Sequence, residues 1–389
     1  MTHKAATLRF SPAPKRPLVP RAGQIVFRIM SIFCFILVIR NSDAAIEYMG
    51  RGLTLCVGTV IPSLFPFMVI SELLVSSGVG EALGRLLSGI MRRIFGISGA
   101  GASALFLGSM CGFPVGARTA VSLYDKGVIS QSECEHLFTF TCNPGSAFLI
   151  TAVGISLYDN RSLGVTLYCV VLGCGFLTGF LAKFLLHRSR MSPEHPHFPS
   201  GLHPGGVETF TGAVSSAATG MLTVCAYVIF FSALTGALGS AVSNAGGGGS
   251  VGYTLLCGFL EMTGGISQAA SLSGDLGVIL TAAFAGWSGI SVHCQVMTLC
   301  GGRGLSFRPY LLAKAFQGLL CGVVTWVILR WFPSLTDPGA GVVADAILVL
   351  VSKKGQGVPS LLANGLFLVG WVVYGTERLK KNRDPLSSS

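Results

Sequence analysis

The sequence predicts an all-α polytopic membrane protein, built as an inverted-repeat bundle with re-entrant hairpins and broken helices. Three observations predict it. Of the 389 residues 51% are hydrophobic and only 11% are charged, where a soluble domain carries about 25% charged residues. Several apolar runs reach the ~20 residues that a helix needs to cross a bilayer. Within some of these runs, glycine and proline clusters break the pattern, and the breaks recur in the same order in both halves of the chain.

Residues 1–24 are basic and proline-containing, with Lys4, Arg9, Lys15, Arg16 and Arg21. They read as a cytoplasmic tail. The run Ile25–Ile39, closed by Arg40, is expected as a first membrane helix (25–40), with Arg28 and Arg40 reaching to the interfaces. A cleaved signal peptide ending near Ser42–Ala45 is the other reading of this stretch. Residues 45–188 form the first repeat. It opens with a span over Leu53–Ser76, in which Pro62 and Pro66 remove two helical donors and predict a kink. Arg85, Arg92 and Arg93 follow on an amphipathic connector.

The run from Gly99 to Leu123 contains Gly112-Phe-Pro-Val-Gly116 where a helix would otherwise be continuous. Broken backbone at membrane depth is tolerated only where protein or a water-filled cavity satisfies its polar groups. A re-entrant hairpin is therefore expected here. Ser130 with Glu133 three residues on is a capping box opening the next helix. That helix runs on through Phe138–Leu157 and is interrupted at Asn143-Pro-Gly145. Leu163–Leu186 is a clean span. Residues 189–208, rich in Pro, His and Gly, read as a polar linker, and their histidines lack metal-ligand spacing.

The second repeat, 209–331, has the same order of elements. A span over Thr211–Leu238 is followed by a run broken at Glu261-Met-Thr-Gly-Gly265, a run broken at Trp287-Ser-Gly289, and a clean span over Tyr310–Trp331. Gly108 pairs with Gly258, and Asn143–Gly145 with Trp287–Gly289. Residues 341–375 are read as an interfacial helix and a last membrane helix, and 376–389 as a basic cytoplasmic tail. One hairpin per repeat leaves three crossings in each half and makes the halves inverted. The main basic clusters then fall on one side, with Arg330, Lys353 and Lys354 as exceptions. Inverted repeats with discontinuous helices are a transporter-like arrangement.

The formal charge of +11 reads as topology signals with some contact to anionic lipid, not as a nucleic-acid surface. The twelve cysteines lie mostly inside apolar runs and read as packing residues. No HExxH or Walker A pattern is present in the sequence. No catalytic residue, metal site or cofactor is expected.

The candidate site is built from the breaks. Freed half-helix ends at Gly112, Pro114 and Gly116, at Asn143, Gly145 and Ser146, at Thr263 and at Ser288 and Ser291 point donors at a small anionic solute. Arg118 either pairs with a solute carboxylate or reaches to the interface beside Lys126. Glu261, an acid inside an apolar run, either couples a proton or sodium ion or caps a buried group. His293 and Gln295 either bind solute or bond between helices. Self-association is left open.

At Cys111-Gly-Phe-Pro-Val-Gly-Ala117 and Leu123-Tyr-Asp-Lys-Gly-Val-Ile-Ser130 the chain resembles the YlbJ family of sporulation integral membrane proteins. Pro62–Phe67, Ser71–Leu74, Cys142–Gly145, Glu261–Gly265 and Gly289–Val296 support the resemblance, which spans about 45–375. It departs at Asn143-Pro144, where two consecutive asparagines are expected. That family carries a nucleoside-recognition Gate domain and is distantly similar to concentrative nucleoside transporters. The resemblance implies a role in spore formation, with passage of dipicolinic acid across the outer forespore membrane. A nucleoside or other small solute, and a non-transporting scaffold for cortex or envelope assembly, are the alternatives.

Overall fold

The computed structural model describes residues 21–76, 79–186, 207–246 and 250–332. The expected interfacial helix, last membrane helix and C-terminal tail lie outside these residues, as do nearly all of the N-terminal tail and of the linker. Every regular element among the described residues is helical.

α1 (Arg21–Arg40) meets α2 (Ser42–Leu55) at a 96° bend. The second span was expected to begin at Leu53. The structure instead starts a helix at Ser42 and carries it through a π-helical turn, Cys56–Val60, into α3 (Ile61–Ser76). The π turn lies just before Pro62, whose missing N–H and ring crowd the preceding turn. α4 (Val79–Ile90) and the turn Met91–Phe95 lead into the first hairpin, with a 102° bend before it.

That hairpin is α5 (Ala102–Cys111) and α6 (Val115–Asp125), joined across a cis Phe113–Pro114 bond. α7 (Gln131–Thr141) carries the expected capping box, with Ser130 and Glu133 bonding reciprocally. α7 stops at Cys142, and a π-helix, Ala147–Leu157, continues beyond the break. α8 (Arg161–Leu186) is uninterrupted. α9 runs over Val207–Asn244, longer at both ends than the apolar pattern predicts. α9 packs on the α2 segment: a Cβ on Gly236 would meet the Tyr48 ring. The second hairpin is α10 (Val251–Leu260) and α11 (Met262–Ala270). α12 (Asp275–Trp287) and α13 (Gly289–Cys300) form the second broken helix, and α14 (Arg308–Trp331) the last described span.

Among the described residues, four stretches are long and apolar enough to cross a membrane, Arg161–Phe184, Thr209–Asn244, Asp275–Cys300 and Arg308–Trp331, or up to six if each of the two bent helix pairs is one span. The 26 residues of Asp275–Cys300 span about 39 Å at a helical rise, more than a ~30 Å hydrocarbon core.

Both hairpins close by glycine against glycine. A Cβ on Gly116 would lie 2.8 Å from Gly108 Cα, and a Cβ on Gly265 would collide with Gly258. The pairing of Gly108 with Gly258 thus places equivalent residues at equivalent crossings. The hairpins also enter from opposite ends of the α12–α13 run. At its start, Gly277 packs on the carbonyls of Ala269 and Leu272, beside the base of the second hairpin. Past its end, Arg303 holds Asp125 in a two-pronged ion pair at 2.8 Å, at the base of the first. Hydrogen bonding to Asp125 raises the Arg303 guanidinium above its ordinary value, so the link keeps its charge. Asp125 and Arg303 share a face, as the basic-cluster topology requires.

Candidate functional site

Each hairpin tip crosses a broken helix. At the first crossing, Phe113 N–H donates to Asn143 O at 2.8 Å, and a Cβ on Gly112 would sit 2.8 Å from Gly145 Cα. Gly112 has a φ of 83°, a conformation that glycine adopts without strain. At the second crossing, Gly289, with a φ of 78°, lies against Met262 N and Glu261 Cα. The carbonyls freed at the ends of the first arms find side-chain donors. Tyr168 Oη donates to Ser109 O at 2.8 Å, Ser146 Oγ to Met110 O at 3.3 Å and Trp287 Nε1 to Phe259 O at 3.1 Å. Ser109 and Phe259 are equivalent under the repeat pairing, so both halves solve the same backbone problem in the same way.

The four breaks are not equivalent in what they leave open. Glu261, 6% exposed, is the N-cap of α11: its Oε1 accepts from Thr263 N at 2.9 Å and its Oε2 from Gly264 N at 2.6 Å. The chain's own carboxylate therefore fills the helix end at which a solute anion was expected. This is the capping role that the sequence left open for Glu261, and a charged acceptor suits a helix N-terminus. α6 and α13 have no side-chain cap. Ser288 Oγ turns back to Ala285 O at 3.4 Å.

The start of α6 borders a cleft of about 390 Å³ between α6, α9 and α13. Pro114 and Arg118 line it from the first half, and Gln295 and Thr298 from the second. Ser216, Thr219 and Thr223 line it from α9 at helical spacing, which makes a hydroxyl stripe. Arg118 Nε donates to Glu72 Oε1 at 3.1 Å, and its Nη2 donates to the carbonyl and hydroxyl of Ser216. The remaining guanidinium nitrogen, Nη1, lies against Gly220, where any Cβ would displace it. Gln295 is 4% exposed, and its Oε1 is buried without a hydrogen-bond partner. An unpartnered buried acceptor is costly unless a ligand or water completes it.

Three predicted residues, Pro114, Arg118 and Gln295, thus come together in one cleft from opposite halves of the chain. Gly112, Gly116, Asn143, Gly145 and Ser146 build the first crossing. Thr263, Ser288, Ser291 and His293 gather around the second, outside the cleft lining. His293 Nδ1 pairs with Tyr310 Oη at 3.0 Å and packs edge-on to Trp287, while its Nε2 and the Ser291 Oγ are buried without partners.

Two residues were missed. Lys314 and Gln317 lie in the clean span, and both are fully buried. Lys314 Nζ donates to Cys142 O at 2.9 Å, Gln317 Oε1 at 3.0 Å and Asn143 Oδ1 at 3.3 Å. Gln317 Nε2 donates in turn to Asn143 Oδ1 at 2.8 Å and Val171 O at 3.0 Å. The signal was available: an ammonium inside an apolar run is expensive and defaults to function. The hydroxyl stripe on α9 was legible in the same way, as polar residues three and four apart.

Opposed hairpins meeting broken helices, with a cleft between α6, α9 and α13, define the class: an integral membrane protein of transporter-like architecture. Within that class, the chain belongs to the YlbJ family of sporulation integral membrane proteins. It is 30% identical over 346 residues to the sporulation integral membrane protein YlbJ of Bacillus subtilis (strain 168), covering 79% of this chain and 83% of the relative. The Gate family model, described as nucleoside recognition, matches residues 57–241. That stretch takes in the first repeat from the π turn onward and nearly all of α9. No solved structure matches the chain.

Proposed function

We propose that this protein moves a small anionic solute across a membrane of the sporulating cell, and that the cleft between α6, α9 and α13 binds it. The observation that carries this reading is the meeting of Arg118, the uncapped start of α6 and the Gln295 amide in one cleft. The Arg118 Nη1 supplies a donor for a carboxylate, beside the positive end of the α6 dipole. The Gln295 amide can turn either its oxygen or its NH2 group inward. At about 390 Å³ the cleft stands at the small end of the ~300–1,000 Å³ range of ligand pockets. The sporulation family points to dipicolinate, a flat dianion, and to the outer forespore membrane as the place. Glu261 enters as the coupling acid. Both its oxygens already accept N–H groups, so protonation is the change that would loosen the start of α11.

One observation favours a second reading. Glu72 offsets the Arg118 charge, and the remaining lining is rich in hydroxyls and amide, which suits a neutral polyhydroxyl solute such as a nucleoside. Uptake of radiolabelled dipicolinate and of nucleosides into proteoliposomes separates the two. Dipicolinate uptake that falls at least tenfold in Arg118→Ala supports the first reading. Nucleoside uptake alone supports the second. If neither solute moves while deletion still impairs spores, a non-transporting scaffold replaces both.

A further inference from the structure

We propose that the Lys314 ammonium is a tethered cation, seated in a monovalent-cation site formed by Cys142 O, Asn143 Oδ1 and Gln317 Oε1. The protein then needs no bound sodium or potassium at this position, and removing the amine leaves a site that accepts one.

The three acceptors are neutral oxygens from two elements. No carboxylate among the described residues pairs with Lys314. A buried charge without a counterion needs another source of stabilisation. Here the negative end of α7 supplies it: Cys142 is the C-cap of that helix, and its carbonyl is the shortest contact to Nζ. All three N–H donors of the ammonium find an acceptor. Backbone carbonyl at an unwound helix end plus side-chain amide oxygens is the chemistry by which discontinuous helices hold a monovalent cation. The shell is itself held in place. Asn143 Nδ2 donates to Phe140 O at 2.8 Å, and Gln317 Nε2 bonds both Asn143 and Val171. Gly175 gives the two amides room, since a Cβ there would lie 2.9 Å from Asn143 Nδ2 and 3.0 Å from Gln317 Nε2. The oxygens would therefore keep their directions when the amine is taken away.

The inference does not rest on transport and is tested without it. Purified full-length protein is unfolded thermally in sodium, potassium or choline chloride at equal ionic strength, and 22Na binding is measured by scintillation proximity. Wild type is expected to unfold at one temperature in all three salts and to show no saturable sodium binding. Lys314→Ala and Lys314→Gln are expected to be less stable in choline and to regain about 3 °C or more in sodium or potassium, in a saturable manner. Saturable sodium binding by wild type overturns the proposal. So do variants that remain monodisperse and ignore both cations. Failure to recover either variant in sodium or potassium also counts against it, because either ion should replace the amine.

Discussion

Arg118 Nε donates to Glu72 Oε1 at 3.1 Å, with the two side chains 13% and 15% exposed. The pair ties the second arm of the first hairpin to α3 and holds the guanidinium at the cleft. Replacing Glu72 by Gln removes the opposing charge and keeps the shape. Stability is expected to fall by about 1–3 kcal/mol, read from thermal unfolding. Affinity for an anionic solute is expected to rise severalfold, read by calorimetry, because the Arg118 charge is no longer offset. Unchanged affinity would remove Arg118 from the binding role.

Gly220 is the positional control for the same guanidinium. A methyl group there would meet Arg118 Nη1 and Met68 Cε. Gly220→Ala is expected to lower solute affinity about tenfold, the loss of one charged hydrogen bond. The folded bundle should persist, since the displaced atom is the end of a long side chain. Gel filtration alongside binding distinguishes this from collapse.

The hairpin crossings make a contrast that thermal unfolding can read. Gly116→Ala and Gly265→Ala force backbone apart and are expected to cost about 1–3 kcal/mol each. Gly50, in α2, has nothing within 4 Å of its Cβ position, and Gly50→Ala is expected to stabilise by about 0.5–1 kcal/mol. Equal effects at all three positions would contradict the close crossings.

Glu261 caps α11 through both carboxylate oxygens. Glu261→Ala is expected to cost about 1–2 kcal/mol from the lost cap. Glu261→Gln separates capping from coupling. It keeps one acceptor, so it should retain solute binding while its uptake no longer responds to an imposed proton gradient. A gradient response equal to wild type leaves Glu261 as a cap alone.

The opposed entry of the hairpins puts Gly127, just past the first one, on the same face of the membrane as Arg303. The charge pattern places Arg188 there too. Single cysteines at Gly127 and Arg188 are expected to label from the same side in sealed vesicles. Labelling from opposite sides would overturn the three-crossing repeat.

Much of the architecture was legible because breaks in an apolar run have few explanations. Glycine and proline at 112–116, 143–145 and 287–289, and a buried acid before 263–265, cannot sit in lipid as continuous helix. The capping box at Ser130 and Glu133 was readable because its two bonds are local. Helix ends were less readable. Ser42–Leu55 packs along α9, with Tyr48 at Gly236 and Gly52 at Ser232, and a hydropathy pattern does not record a partner.

Alone, the sequence determined what had to be solved: which segments are apolar, where the backbone is interrupted, and that spans and breaks come in the same order in the two halves. These follow from composition and local covalent geometry. Tertiary structure decided how each exposed polar group is answered. It gave the α11 terminus to Glu261, set Glu72 against Arg118, brought Pro114 and Gln295 to one cleft, and laid Lys314 beside Asn143 from 171 positions away. Such pairings depend on which helices cross, and crossing is set by packing between segments distant in the chain.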